Sequence, residues 1–301
     1  MRLVLLGCHG QVGWELQRSL APLGELIALD RHSTQACGDL SHLEGLKQGL
    51  MALKPDVIIN AGAYTAVDKA ETERELAFLI NAEAPRVLAE TAHTLGALLV
   101  HYSTDYVFNG SGTRPWQESD MTGPLNSYGQ SKLAGEQAIH AAGCQHLIFR
   151  TSWVYAARGN NFAKTMLKLA QNREQLSVVA DQWGAPTSAE LIADVTAHAL
   201  RHAWVDPEAS GLYHLVARGE TTWFDFAHKV LASAEHQGIA LKTSSTALQA
   251  IPTSAYPTPA QRPLNSRLNC DKLSTTFKLN LPDWQFGVER MLAEILPSYS
   301  T

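Results

Sequence analysis

Five short runs rich in leucine and β-branched residues punctuate the first half of the chain: RLVLLG, LIALD, DVIINAG, LLVHYSTD and HLIFRTSW. Each has the length of a strand and is nearly continuous in its apolar character, and the segments between them are long enough for helices. Strands that are apolar on both faces and separated by helical segments predict a parallel sheet covered on both sides, the doubly wound α/β arrangement.

After about residue 150 the rhythm loosens. NFAKTMLKLAQ and TTWFDFAHKVLASAE have helical patterns, whereas SAYPTPAQRPLNSRL is rich in proline, serine and asparagine and reads as an extended surface segment. LSVVADQWGAPT reads as one more strand returning to the sheet. The pattern therefore predicts a doubly wound domain over residues 1–150 and a smaller, loop-rich domain over most of 151–301, with residues about 175–205 returning to the first domain.

Composition removes several classes of function. The 301 residues are 45% hydrophobic and 18% charged with a formal net charge of -5, and lysine and arginine are scattered. No basic stripe suits a nucleic-acid backbone and no polybasic patch suits a membrane, so neither is an expected partner. The opening apolar run is too short for a signal segment, and no stretch approaches the ~18 apolar residues of a membrane span; a cytoplasmic location is expected. Cys8, Cys37, Cys144 and Cys270 lie far apart without a C-x-x-C pair and are read as reduced thiols. His198 and His202 have helical spacing, but HALRH lacks the glutamate of a zinc-protease helix.

The first strand runs into GCHGQVG, which places Gly7, Gly10 and Gly13 at the turn into a helix starting near Gln11. Glycines there allow a tight turn and close approach of a pyrophosphate, and the helix N-terminus offers free N–H groups and a positive dipole end. The next strand ends at Asp30, 17 residues after Gly13, close to the offset of the carboxylate that binds the ribose of NAD. Arg31 follows it and suits the 2′-phosphate of NADP, so both NADH and NADPH stay open.

YGQSK sets Lys132 four residues after Tyr128, on one face of a helix. A free tyrosine titrates near pH ~10 and is a poor acid at neutral pH. A cation ~4 Å away at an effective dielectric of ~20 is worth roughly three pKa units, so a lysine in that place brings a tyrosine into catalytic range.

These motifs together resemble the extended branch of the short-chain dehydrogenase/reductase superfamily, which has a Rossmann domain and acts on nucleotide sugars. GCHGQVG matches its G-x-x-G-x-x-G, YGQSK its Y-x-x-x-K, and HYSTDYVF the strand end that carries a serine or threonine. With DVIINAGAYTAVDKAE, NSYGQSKLAGE, NNFAKTML, DQWGAPT and RPLNSRL, the likeness narrows to the dTDP-4-dehydrorhamnose reductases and runs from Met1 to the carboxyl-terminal helix.

That resemblance implies reduction of the C4 ketone of dTDP-4-dehydro-L-rhamnose by NADH or NADPH, the last step of dTDP-L-rhamnose synthesis for cell-surface polysaccharide. Tyr128 is then the proton donor, Lys132 lowers its pKa and binds the nicotinamide ribose, and Thr104 hydrogen-bonds the same carbonyl. Gly10, Gln11, Val12 and Gly13 line the pyrophosphate, Asp30 and Arg31 the adenosine ribose, and Asp39 and Leu40 the adenine. Ala63, Tyr64, Thr65 and Tyr102 border the rest of the dinucleotide. Thr104, Asp105, Trp153 and Arg262 are the implied substrate contacts. Glu15, Glu190 and Glu294 match positions that bridge some relatives into Mg²⁺-linked homodimers. Two competing readings are an epimerase of the same branch, which keeps its NAD bound, and a non-enzymatic regulatory subunit, which has no need of the acid–base set.

Overall fold

The computed structural model describes residues 1–299. A six-stranded sheet is formed by β1 (Arg2–Leu6), β2 (Glu25–Leu29), β3 (Val57–Asn60), β4 (Leu98–Thr104), β5 (His146–Thr151) and β6 (Gly211–His214). Its order is β2, β1, β3, β4, β5, β6, and every neighbouring pair is parallel. The chain steps from β1 to β2 on one side and then to β3 on the other. This reversal opens a crevice at the carboxyl ends of β1 and β3, where doubly wound sheets take their ligands.

Alternate residues of each strand feed opposite faces, as the two-residue repeat requires. Leu3, Leu5, Val57 and Ile59 pack under α1 (Gln11–Leu20) and Leu16. Val4, Leu6 and Ile58 pack under α2 (Leu43–Leu53) with Leu46 and Leu50. On that second face α3 (Arg74–Phe78) passes through a π-helical turn, Leu79–Glu83, into α4 (Ala84–Leu95), which lies beside α5 (Ser127–Ala142). Such a turn re-aims side chains and is common at functional sites.

A separate apolar core joins α6 (Phe162–Asn172), α8 (Trp223–His236) and α10 (Trp284–Ile295) through Leu167, Phe226, Val230, Trp284 and Leu292. The expectation for LSVVADQWGAPT is corrected here. Ser177–Val179 pairs with Gln249–Ile251 beside this second core, not with the main sheet. What returns to the sheet is α7 (Ala189–Val205), whose Ile192, Ala199 and Leu200 join the core beneath α1. Strand β6 also belongs to the sheet, and α9 (Asp271–Phe277) adds Leu273 and Phe277 to that core.

The proline-rich stretch is an ordered strap. The Asn126 side chain donates to the Gln261 carbonyl at 2.8 Å, the Asn265 amide to Gly110 O at 3.0 Å, and the Trp183 amide to Leu264 O at 2.8 Å. Its backbone thus finds partners without a sheet.

Candidate active site

The crevice is shaped by glycines. Gly7 has φ +80°, and a Cβ on it would lie 2.6 Å from the Gly62 nitrogen, so only glycine lets the ends of β1 and β3 close up. A Cβ on Gly13 would strike the Gly7 carbonyl. Gly10 caps α1 with no side-chain hydrogen bond, which leaves the first-turn N–H groups facing the crevice. A dinucleotide fits here because a bare helix N-terminus and a glycine cradle supply what a pyrophosphate needs. Gln11 accepts from Asn161 Nδ2 at 3.3 Å, which ties this helix start to the loop before α6. Val12 packs toward the core instead of lining a polar wall.

Asp30 sits at the end of β2. Its Oδ1 accepts from the His32 amide at 2.9 Å and the Ser33 hydroxyl at 3.0 Å, and Oδ2 lies 3.1 Å from His9 Nε2. The His32 amide above all holds its pKa below the usual carboxylate value. Arg31 is exposed beside it. Asp39 accepts from Ser41 at 2.9 and 2.7 Å, and the buried Leu40 lies against Gly62. On the β3 side, Ala63 and Thr65 are exposed, and Tyr64 is held from both directions. Its amide donates to Asn81 Oδ1 at 2.9 Å, and its hydroxyl donates to Glu73 at 2.7 Å, a bond that pushes the phenol up to about 12. Asn81 comes from the π turn and also donates to Ser131 on α5.

Tyr102 departs from expectation. Its phenol turns into the core and shares a 2.8 Å hydrogen bond with Thr196 of α7, so only its main chain faces the site.

The candidate acid–base residues lie where β4 ends and α5 begins. Asn126 caps α5 through a 2.8 Å bond from the Gly129 amide and so fixes the first turn that carries Tyr128. Thr104 closes β4, accepts from the Tyr106 amide at 3.2 Å and donates to Asp105 Oδ1 at 3.0 Å. The Tyr128 ring meets the edge of Tyr106 at 5.6 Å. Burial raises the Tyr128 phenol to about 12, with the Thr104 hydrogen bond opposing and the Asp105 charge adding to the rise.

Lys132 differs from what its spacing implied. It shares the helix face with Tyr128, but its Nζ donates to the Tyr102 carbonyl at 2.6 Å and lies 3.2 Å from His101 Nε2. Burial brings Lys132 down to about 8, against the pull of Glu136, and the amine does not lower the Tyr128 phenol. The i, i+4 rule places two side chains on one face; where a long, flexible chain ends is decided by its neighbours on β4.

Asp105 is buried, and its Oδ2 has no partner in hydrogen-bond geometry. Burial raises it to about 7, with the Ser266 and Thr104 hydroxyls opposing. Trp153 follows β5 with φ 50°, rare for a bulky residue. Its ring stacks on Trp223 at 3.7 Å and 16°, and a Cβ on Gly184 would lie 2.7 Å from its Cε2. Arg262, on the strap, donates to Asp68 at 2.8 Å and keeps a buried Nη1 without a partner. His101, Asn60, Asn81, Tyr106, Asp68 and Trp223 were not singled out in the sequence. Only Asn60 and His101 carried a signal, as polar residues inside otherwise apolar strand runs.

Glu15, Glu190 and Glu294 do approach one another on α1, α7 and α10. Burial raises the Glu15 carboxyl, and the charges of Glu190 and then Glu294 add to the rise against Arg18. Within the single chain Glu190 and Glu15 face arginines. Both oxygens of Glu190 face Arg290, at 2.8 and 3.3 Å, and Glu15 lies 3.5 Å from Arg18. Among the described residues no group of three acidic, histidine or cysteine side chains is disposed to hold a metal ion. No helix among them is long and apolar enough to cross a membrane.

Residues 1–296 match the family described as RmlD substrate binding domain. The dTDP-4-dehydrorhamnose reductase of Escherichia coli K12 is 59% identical over 295 residues, covering 98% of each chain. Among solved structures, the dTDP-4-dehydrorhamnose reductase of Bacillus anthracis str. Ames in complex with NADP superimposes with a TM-score of 0.86 at 35% identity, over 97% of this chain and 99% of that one. The Clostridium acetobutylicum enzyme of the same description gives 0.88 at 33% identity, over 98% and 99%.

Proposed function

The chain belongs to the dTDP-4-dehydrorhamnose reductase family, and from that premise we propose that Tyr128, Thr104 and Lys132 carry the reduction at the carboxyl edge of its sheet. The protein is an NAD(P)H-dependent oxidoreductase that reduces the C4 ketone of dTDP-4-dehydro-L-rhamnose to dTDP-L-rhamnose. One observation carries the residue assignment: Thr104 ends β4 and Tyr128 stands in the first turn of α5, which Asn126 caps, at the carboxyl edge of the sheet beside the glycine-lined crevice.

The bound nicotinamide supplies the hydride. The chain supplies geometry and a proton. Thr104 is held by the Tyr106 amide, and its single hydroxyl proton, donated to Asp105 in the free protein, turns to the ketone oxygen next to Tyr128 when substrate binds. Tyr128 gives that oxygen its proton as negative charge develops there. A tyrosine held near 12 donates weakly to solvent, so the transfer is driven by the more basic alkoxide formed during the reaction.

Trp153, braced by Trp223, and Arg262, with its free Nη1, are the proposed contacts of the sugar and the diphosphate. Arginine's planar fork of donors suits phosphate. Asp30, Arg31, Asp39 and Leu40 are the proposed adenosine contacts, and Ala63, Tyr64 and Thr65 border the dinucleotide beyond the pyrophosphate. A cytoplasmic location and a homodimer belong to the same proposal, the second open to sedimentation. Purified protein mixed with NADPH or NADH and dTDP-4-dehydrorhamnose tests the reading: loss of reduced nicotinamide absorbance with dTDP-L-rhamnose as the NMR-identified product supports it, and no oxidation with dinucleotide still bound overturns it.

A further inference from the structure

Residues 260–262 of the strap lie in neither helix nor strand, and two side chains from other segments grip them. Asp68, just after Thr65 in the chain, accepts from the Ala260 amide at 3.2 Å through Oδ1 and from Arg262 Nη2 at 2.8 Å through Oδ2. Asn126, which caps α5 ahead of Tyr128, donates from Nδ2 to the Gln261 carbonyl at 2.8 Å. With no ladder to hold this backbone, these bonds decide where it runs.

Asn126 uses both ends of its amide. Its Oδ1 accepts from the Gly129 amide at 2.8 Å and closes the first turn of α5, while its NH₂ reaches the strap. The side chain is 3% exposed, and its orientation is fixed. The Gly129 N–H can only donate and the Gln261 carbonyl can only accept, so the oxygen and nitrogen of the amide cannot be exchanged. Serine, threonine and aspartate also cap helices, but asparagine alone among them offers an acceptor and an N–H donor on separate atoms. The cap by itself does not call for that second atom; the strap does.

Arg262 follows the gripped carbonyl directly. Asp68 engages its Nη2, and its Nη1 is buried without a partner. A buried donor in that state is costly unless a ligand brings the acceptor.

We propose that Asn126 is a positioning residue for substrate binding: by tying the Gln261 carbonyl to the turn that carries Tyr128, it sets the free Nη1 of Arg262 where a diphosphate oxygen can accept from it. The inference rests on the reading of Arg262 as the diphosphate contact. The helix start that presents the acid and the strap that holds the phosphates then share one buried side chain, so the two ends of the substrate are placed in one frame.

Calorimetry of dTDP binding to the full chain saturated with NADP⁺ tests it. Asn126→Ser keeps an oxygen for the Gly129 amide and gives up the N–H to the strap. Its dTDP Kd is expected to rise about fivefold, the scale of one neutral hydrogen bond, with the NADP⁺ Kd within about twofold of wild type. An unchanged dTDP Kd overturns the inference, and so does an equal loss of both ligands, which means that Asn126 only holds the fold. Arg262→Met should weaken dTDP about thirtyfold, the scale of a hydrogen bond to a charged group. Adding Asn126→Ser to it should cost nothing more, because Asn126 acts through Arg262; a further fivefold loss in the double variant overturns that route. If Arg262→Met binds dTDP as tightly as wild type, the reading of Arg262 is wrong and the inference falls with it. If Arg262→Met is weakened and Asn126→Ser is not, the reading of Arg262 stands and only the role of Asn126 is lost.

Discussion

Lys132 Nζ donates to the Tyr102 carbonyl oxygen at 2.6 Å, one strand-end away from the Tyr128 hydroxyl it was expected to tune. A buried amine so engaged has its position set by β4 and its charge set by its surroundings. The proposed catalytic pair therefore sits on a fixed scaffold, and its members are separable by mutation. Tyr128→Phe removes the proton donor and leaves ring packing against Tyr106 in place. A loss of about 10²–10⁴-fold in kcat is expected, the usual worth of a positioned acid. Dinucleotide affinity by fluorescence titration should stay within about threefold, since the phenol proton contributes little to ground-state binding. Turnover near wild type would remove Tyr128 from the chemistry.

What the sequence disclosed follows from the range of the interactions involved. The glycine turn and the Tyr128–Lys132 spacing are local, and both were legible. The strand Ser177–Val179 was misplaced because its apolar run is compatible with any parallel partner, and the actual partner, Gln249–Ile251, lies some seventy residues on. Strand β6, with the sequence GLYH, begins with glycine and is too short to announce itself. The pairing of Asn60 with His101 exists only through the β3–β4 register. No periodicity within one strand encodes that register, so the polar chain behind Lys132 could not be read in advance.

Asp30 serves two purposes that a single substitution can separate. Its Oδ1 organises the loop through His32 and Ser33, and its charge is the proposed contact of the adenosine ribose. Asp30→Asn keeps an oxygen for those two donors and removes the charge, whereas Asp30→Ala loses both. With Arg31 alongside, Asp30→Asn should shift the NADPH/NADH ratio of kcat/KM toward NADPH by about tenfold, equivalent to about 1.4 kcal/mol. Steady-state kinetics with each dinucleotide checks this; an unchanged ratio would leave Asp30 a loop organiser only.

Trp153 is held in a conformation that few large residues adopt, between the Trp223 ring and the face of Gly184. Gly184→Ala should push the indole aside without touching any acid–base group. The KM for the sugar nucleotide is then expected to rise about tenfold, the scale of one well-placed contact, with the dinucleotide KM unchanged. If both constants move together, or neither moves, Trp153 does not contact the sugar.

The acidic face of α1, α7 and α10 should be indifferent to chelation. Glu190 is held by Arg290 and Glu15 lies beside Arg18, so the carboxylate oxygens already have cationic partners. EDTA is expected to change neither the sedimentation mass nor turnover. A fall in mass on chelation would show that a second copy rearranges these pairs around a cation.

Asp105 links the site to stability with a definite sign. An unfolded aspartate titrates near 3.9, whereas burial raises this one to about 7 in the folded state. The native state thus binds the extra proton between those values, and stability falls as pH rises through that window. Below the unfolded value both states are protonated and the penalty is absent; above about 7 it is complete. Asp105→Asn removes the ionisation and keeps an acceptor for Thr104. Its gain over wild type should therefore be near zero at pH 4 and reach about 2–4 kcal/mol at pH 8, taking about 1.4 kcal/mol per pKa unit as the upper scale. Urea unfolding at the two pH values measures it. An equal effect at both would mean that the carboxyl is ionised throughout, leaving Oδ2 a buried charge stabilised by a partner such as water.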